Sequence, residues 1–182
     1  MEATAIAAIL QEAVPGLQVE IAPTIDSHHT LYVPGDQLIP ALQTLRDRPE
    51  LKFGFLAELT AADYWPAREP RFELIYILVS VEHRLRLRVK VRLPGEDPHV
   101  ATATPVWPAA NWLEREVWDL FGIAFDDHPD PRRLLMPEDW EGYPLRKDYP
   151  VQIQMKAEAG SPTQVTAEEF KANLLKDRLA RK

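Results

Sequence analysis

The chain contains no cysteine. That excludes disulfides, thiol nucleophiles and cysteine-ligated iron–sulfur clusters together. It also fits a reducing compartment. Glycine is sparse, and Gly16, Gly35, Gly54, Gly95, Gly122, Gly142 and Gly160 are isolated from one another. Neither a G-x-G-x-x-G nor a G-x-x-x-x-G-K-[ST] pattern occurs, so no loop has the spacing that cradles NADH, flavin or ATP phosphates. His28, His29, His83, His99 and His128 include no i, i+4 pair. Structural zinc sites use tightly spaced Cys and His pairs, so no metal is expected. Long apolar runs are missing too. The run from Leu74 to Val79 falls far short of the roughly 20 residues of a spanning helix. The start, Met1-Glu2-Ala3-Thr4, lacks a basic region, and no cleavage-like signal follows. Membrane contact is therefore expected only through partners. The net charge of −7 argues against a generic nucleic-acid binder, which needs an excess of Lys and Arg.

What is present is an ordinary globular composition. With 182 residues, 46% of them hydrophobic and 27% charged, the chain is long enough for one cored domain plus an appendage. Ala3 to Val14 is a predicted helix ended by Pro15-Gly16. Leu17 to Ile21 and Thr30 to Val33 are predicted strands. A helix from about Gln37 to Arg46 carries Pro40 in its first turn and an apolar stripe of Leu38, Ile39, Leu42 and Leu45. Leu51 to Ala62 is extended, with Phe53, Phe55 and Leu59 inward. Phe72 to Val81 is continuously apolar, as a central strand buried on both faces would be. In the next run Arg84, Arg86, Arg88, Lys90 and Arg92 alternate with Leu85, Leu87, Val89, Val91 and Leu93. Side chains of a strand point to opposite faces at each step, so one face is apolar and the other basic. The short link Val81-Glu82-His83 makes these two runs an antiparallel hairpin. Ala109 to Phe121 is a helix, with Trp112, Leu113, Glu116, Leu120 and Phe121 near one face and Gly122 ending it. Beyond it, Pro129, Pro131, Pro137, Pro144 and Pro150 break any long helix or central strand. A last charged helix, from about Ala167 to Ala180, is capped by Thr166 and Glu169.

The expected fold is therefore α+β. A mixed or mostly antiparallel sheet with flanking helices is followed by a long, irregular, proline-rich C-terminal arm. The expected division is a domain at residues 1–125 and an arm at 126–182.

No constellation has the form of an active site. Asp126, Asp127, Asp130, Glu138 and Asp139 offer paired carboxylates, but Arg132, Arg133, Arg146 and Lys147 are at hand to neutralise them. Ion pairing within the arm or to a partner is the expected use. His128-Pro129 is expected to form a turn, its imidazole hydrogen-bonded to hold the chain. The basic strand from Arg84 to Arg92 is an exposed charged face or a protein docking face. Aromatics do not interleave with it as a stacking platform would require.

The densest signal runs from Glu114 to Pro150. It comprises Glu114-Arg115-Glu116, Asp119, Phe121-Gly122, His128-Pro129 and Arg132-Arg133. It ends with Asp139-Trp140, Gly142 and Pro144-Leu145-Arg146-Lys147-Asp148-Tyr149-Pro150. Arginine pairs with carboxylates in a planar, bidentate manner. A helix of Glu and Asp facing returning arginines would clamp the arm to the domain. Remaining Arg, Trp and Tyr would anchor a partner.

Order and spacing in this stretch resemble the signature of the C-type subunit of the proton-pumping NADH:quinone oxidoreductases, the 30 kDa subunit family of respiratory complex I. Leu59 to Tyr64, Phe72 to Ser80 and Trp107 to Trp112 are also similar to it. The resemblance implies a cofactor-free scaffold of the peripheral arm, packed on the D-type subunit that holds the quinone site. FMN, iron–sulfur clusters, NADH and quinone would belong to other chains. It implies the cytoplasmic face of a bacterial inner membrane, reached through partner proteins, and no catalytic residue in this chain. A component of a membrane-bound hydrogenase or ferredoxin-linked complex shares the resemblance. A rival reading is a small stand-alone hydrolase using the acidic and histidine cluster of the arm. Two positions depart from the family pattern. Asp127 stands where glycine is usual before His-Pro, and Pro131 where leucine is usual before the paired arginines.

Overall fold

The computed structural model describes residues 1–23, 26 and 28–150. Helix α1 spans Ala3–Ala13 and buries Ala3, Ile6, Ala7 and Leu10, an apolar stripe at helical spacing. Val14 closes the helix with its N–H on the Leu10 carbonyl. Strands β1 (Glu20–Ile21) and β2 (His29–Tyr32) follow, so the predicted strand at 17–21 shrinks to its last two residues. Helix α2 (Leu38–Asp47) buries Leu38, Ala41, Leu42 and Leu45. Next come β3 (Phe55–Asp63), β4 (Phe72–Ser80), β5 (Leu85–Leu93), β6 (His99–Ala101), α3 (Ala110–Phe121) and β7 (Ala124–Asp126).

Five strands form a mixed sheet in the order β1-β2-β5-β4-β3. Strands β2 and β5 are parallel, and the other neighbours are antiparallel. Strands β6 and β7 make a separate parallel pair. The register sets Leu31, Val89, Tyr76 and Leu59 in one row across the sheet. All four are buried, and the apolar residues of α1, α2 and α3 complete the core with them. Full burial of each such side chain contributes roughly 1.5–3 kcal/mol.

The opposite face carries the basic ladder predicted from the alternation in β5. It is largely neutralised from within the chain. Arg92 pairs with Glu20, Arg88 with Asp26 and Lys90 with Glu73. Glu73 is itself buried and also accepts from Arg68, Tyr32 and Tyr64. This face corrects the expectation that β4 is buried on both sides. Ile75, Ile77 and Val79 are only half-buried, shaded by the stems of Lys90, Arg88 and Arg86 beside them. Phe55 is 55% exposed rather than inward. A register shift between Leu56 and Glu58 moves the inward set to Leu59, Ala61 and Asp63. Phe53, which is buried, lies before the strand.

Met1–Tyr149 form one compact unit. Residues 126–149 therefore belong with the domain rather than with the remainder, contrary to the division expected after residue 125. The helix expected at 167–180 lies outside the described residues. Among the described residues no helix is long and apolar enough to cross a membrane.

Candidate functional site

Helix α3 lies against β3 and presents an unexpected inner face. Ala110, Glu114, Val117 and Phe121 point inward at helical spacing, with Arg115 and Asp119 also buried. Trp112 is 61% exposed, and Glu116 is exposed as well. Of the residues grouped near one face from sequence, Phe121 is buried, whereas Trp112 and Glu116 face solvent. The helix ends at Gly122, whose φ of +71° is left-handed. Any Cβ there would be driven into the ring of Tyr143, so glycine is required both for the backbone and for the contact.

Residues 127–149 form a strap that runs along α3 in the helix's own direction. It starts at Asp127, whose φ of +61° is left-handed. Asp thus adopts the conformation that a family glycine supplies more cheaply. His128 follows. The Asp130 N–H donates to its Nδ1 at 3.0 Å, so its ring proton sits on Nε2, 3.1 Å from the Asn111 carbonyl. Arg115 then donates to the carbonyls of Arg132 and Arg133, both at 3.0 Å, and lies 3.2 Å from Asp130.

Asp119 is the centre of the strap's attachment. Its carboxylate is fully buried. One oxygen accepts from Arg133 at 2.6 Å, and the other accepts the N–H groups of Leu134, Leu135 and Met136 at 3.0, 2.7 and 2.8 Å. Burial pushes its pKa upward, but these donors outweigh burial and leave it below the ordinary aspartate value. Arg133 also donates to the Trp140 carbonyl. Further along, the Leu145 N–H donates to the Leu120 carbonyl, and Arg146 to the carbonyls of Phe121 and Gly122. The strap therefore satisfies the open C-terminal carbonyls of α3. Tyr149 stacks on Trp140 and donates to the Glu141 carbonyl, and Gly142 makes the intervening turn at φ +81°.

The last attachment joins the strap to the β3–β4 end of the sheet. Arg71 donates to both oxygens of Asp63 and both of Asp148. Asp63 also accepts the N–H groups of Lys147 and Trp65. These arginine and N–H bonds overcome the upward push of burial and hold Asp63 at about 2. Nothing in the densest stretch of sequence indicates Asp63 or Arg71. Their trace is a carboxylate at an inward position of an apolar strand, with an arginine eight residues on.

Glu114 behaves differently from the other acids. It turns away from the strap's arginines and accepts from Thr102 Oγ1 at 2.5 Å and from the Ala103 N–H at 2.6 Å. Glu116, Pro129, Asp139 and Lys147 remain exposed. Arg132 is 78% exposed and pairs with Asp130 beside it. The acidic cluster is dispersed: Asp126 pairs with the exposed His99, Asp127 makes a turn, and Asp130 pairs with Arg132 and Arg115. Among the described residues no group of three or more acidic or His side chains could hold a metal ion.

The family model of the respiratory-chain NADH dehydrogenase 30 kDa subunit matches residues 31–154. The chain belongs to this family. It is similar to the second C-type subunit of the NADH-quinone oxidoreductase of Rhizobium meliloti, with 47% identity over 68% of this chain and 68% of that protein. It is 41% identical to the C-type subunit of the Saccharopolyspora erythraea enzyme, over 79% of this chain and 58% of that protein. Among solved structures it resembles Nqo5 in its trypsin-resistant fragment (1-134), at a TM-score of 0.54 and 33% identity over 69% of this chain and 98% of that one. It also resembles a chain of the membrane-bound sulfane sulfur reductase, an archaeal respiratory membrane complex, at a TM-score of 0.67 and 28% identity, over 81% of this chain and 85% of that one. The attachments just described all lie within the matched span.

Proposed function

We propose that this chain is a cofactor-free scaffold of the peripheral arm of NADH-quinone oxidoreductase. It packs on the D-type subunit of the quinone site at the cytoplasmic face of the membrane, and the electrons pass through other chains. The observation that carries this reading is the division of labour in the strap. Arg115, Asp119, Arg133 and Arg146 are spent on internal bonds that fix its backbone. Trp112 and Leu135, meanwhile, face outward at 61% and 59% exposure. Tryptophan is a favoured anchor at protein interfaces. A rigid strap with apolar anchors is suited to docking. The similarity to the sulfane sulfur reductase chain supports use of the same scaffold in complexes with other electron donors and acceptors.

The test is assembly. Trp112→Ala combined with Leu135→Ala is expected to weaken docking by about 2 kcal/mol or more, roughly thirty-fold. The yield of assembled complex should fall, while turnover per assembled complex is retained. Normal assembly with lost turnover would overturn the scaffold reading. So would iron or flavin near one equivalent in the purified chain. The internal role of Arg133 adds a second expectation. Arg133→Ala should lower the stability of the isolated chain, and Arg132→Ala should not.

A further inference from the structure

We propose that Glu114, together with Thr102 and Thr104, forms a buried proton-binding site of the domain, reached through a cavity beside α3. Four carboxylates among the described residues, Asp63, Glu73, Glu114 and Asp119, have buried side chains and different surroundings, and Glu73 is held by Arg68, Lys90 and the hydroxyls of Tyr32 and Tyr64. Asp119 and Asp63 each face an arginine and several N–H donors. Glu114 receives one N–H and one hydroxyl, and among the described residues no Lys or Arg pairs with it. Its titratable neighbours are His128 and Tyr76. His128 Nε2 lies 3.7 Å away and carries the ring's single proton toward the Asn111 carbonyl, because Nδ1 accepts from Asp130. The Tyr76 hydroxyl of β4 is buried without a hydrogen-bond partner among the described residues and is kept protonated by burial and by the Glu114 charge. Arg115, on the same helix, is directed to the carbonyls of Arg132 and Arg133 and to Asp130. An isolated buried carboxylate without a cation favours its neutral form. Burial accordingly pushes Glu114 up to about 7, only partly offset by Thr102 and Ala103.

The hydroxyl relay makes both forms viable without moving a heavy atom. Thr102 Oγ1 touches Glu114 Oε2 at 2.5 Å and Thr104 Oγ1 at 2.9 Å, and it accepts the Thr104 N–H at 3.2 Å. When Glu114 is ionised, the single Thr102 hydrogen points to Glu114. When Glu114 takes up a proton, its O–H donates to Thr102, and the Thr102 hydrogen swings to Thr104. The Ala103 N–H keeps its bond to the other carboxyl oxygen throughout. The proton arrives from solvent water. A cavity of about 100 Å³, lined by Glu114, Arg115, Trp118, Phe125, His128 and Pro131, has room for a few waters at about 30 Å³ each.

The experiment follows the Glu114 carboxyl by infrared titration of the full chain, reading the carbonyl stretch of the neutral acid. A carboxylic acid band with a midpoint at about 7 is expected, and it should be absent from Glu114→Gln. The amide of glutamine reproduces the protonated hydrogen-bond direction, donating to Thr102. Thr102→Val removes a donor that favours the ionised form more than the neutral one, so the midpoint should rise by roughly half to one pH unit. The proposal is overturned if Glu114 titrates in the ordinary glutamate range, or if Thr102→Val leaves the midpoint unchanged or lowers it. Because Thr102→Val is read on the wild-type carboxyl, the test stands even if Glu114→Gln fails to fold.

Discussion

Replacing Asp119 with alanine is expected to lower the stability of the chain by about 3–5 kcal/mol, the cost of removing one member of a buried ion pair. Arg133 is then left without its carboxylate, and Leu134, Leu135 and Met136 lose the single acceptor of their N–H groups. Each unsatisfied donor that water does not reach adds about 1–3 kcal/mol. Asp119→Asn keeps an oxygen for the backbone donors and should lose less. The effect also has a pH signature. The native pKa of Asp119 is depressed, so its contribution is present above the unfolded carboxylate range and is lost as pH falls through the native value. Urea unfolding of the two variants, with amide exchange at 134–136, measures both effects. An Asp119→Ala chain within about 1 kcal/mol of wild type would show that the strap is held by its apolar contacts instead, since most exposed substitutions fall within that margin.

Much of this arrangement is legible in the sequence, for local reasons. The basic and apolar alternation of β5 has period two and reads directly as a strand with two unlike faces. Its hairpin with β4 needs only the short link 81–84. The Gly122 cap and the His128 turn follow from residues adjacent in the chain. What stays hidden depends on distant partners. The parallel pairing of β2 with β5 joins residues 29–32 to 87–90, and no local pattern encodes it. The inner face of α3 is misread from sequence because residue size stands in for burial. Trp112 looks like core and Glu114 like surface, yet Thr102 and Ala103 supply the hydrogen bonds that let Glu114 go inside. The strap reads as unable to stand alone because its apolar periodicity is poor. Ordering it costs roughly 1–2 kcal/mol per residue in backbone entropy. The structure meets that cost with hydrogen bonds to arginines and carboxylates on α3 and β3, and a hydrophobic pattern does not register such bonds.

Arg71→Ala is expected to be as damaging as loss of Asp119, again by about 3–5 kcal/mol, although Arg71 lies outside the dense motif. The side chain of Asp63 is fully buried, so without Arg71 it keeps only the N–H groups of Lys147 and Trp65. The third member of the cluster should matter far less. Asp148 is 44% exposed, and removing an exposed partner typically costs below about 1 kcal/mol. The pH dependence follows from the native value of Asp63, about 2 against an ordinary 3.8. A depressed carboxylate stabilises the fold above its unfolded pKa and ceases to do so as pH falls through the native one. The contribution is roughly 2 kcal/mol, lost between about pH 4 and pH 2. In Arg71→Ala this acid-labile component should shrink, because Asp63 no longer has a cation to keep it ionised. The Lys147 amide is the local reporter, since its N–H bonds to Asp63 at 2.8 Å. Its exchange should accelerate in Arg71→Ala and in wild type below about pH 3, where Asp63 starts to protonate, and change little in Asp148→Ala. Equal losses from Arg71→Ala and Asp148→Ala would mean that the exposed half of the cluster holds the strap to the sheet and that the buried Asp63 does not.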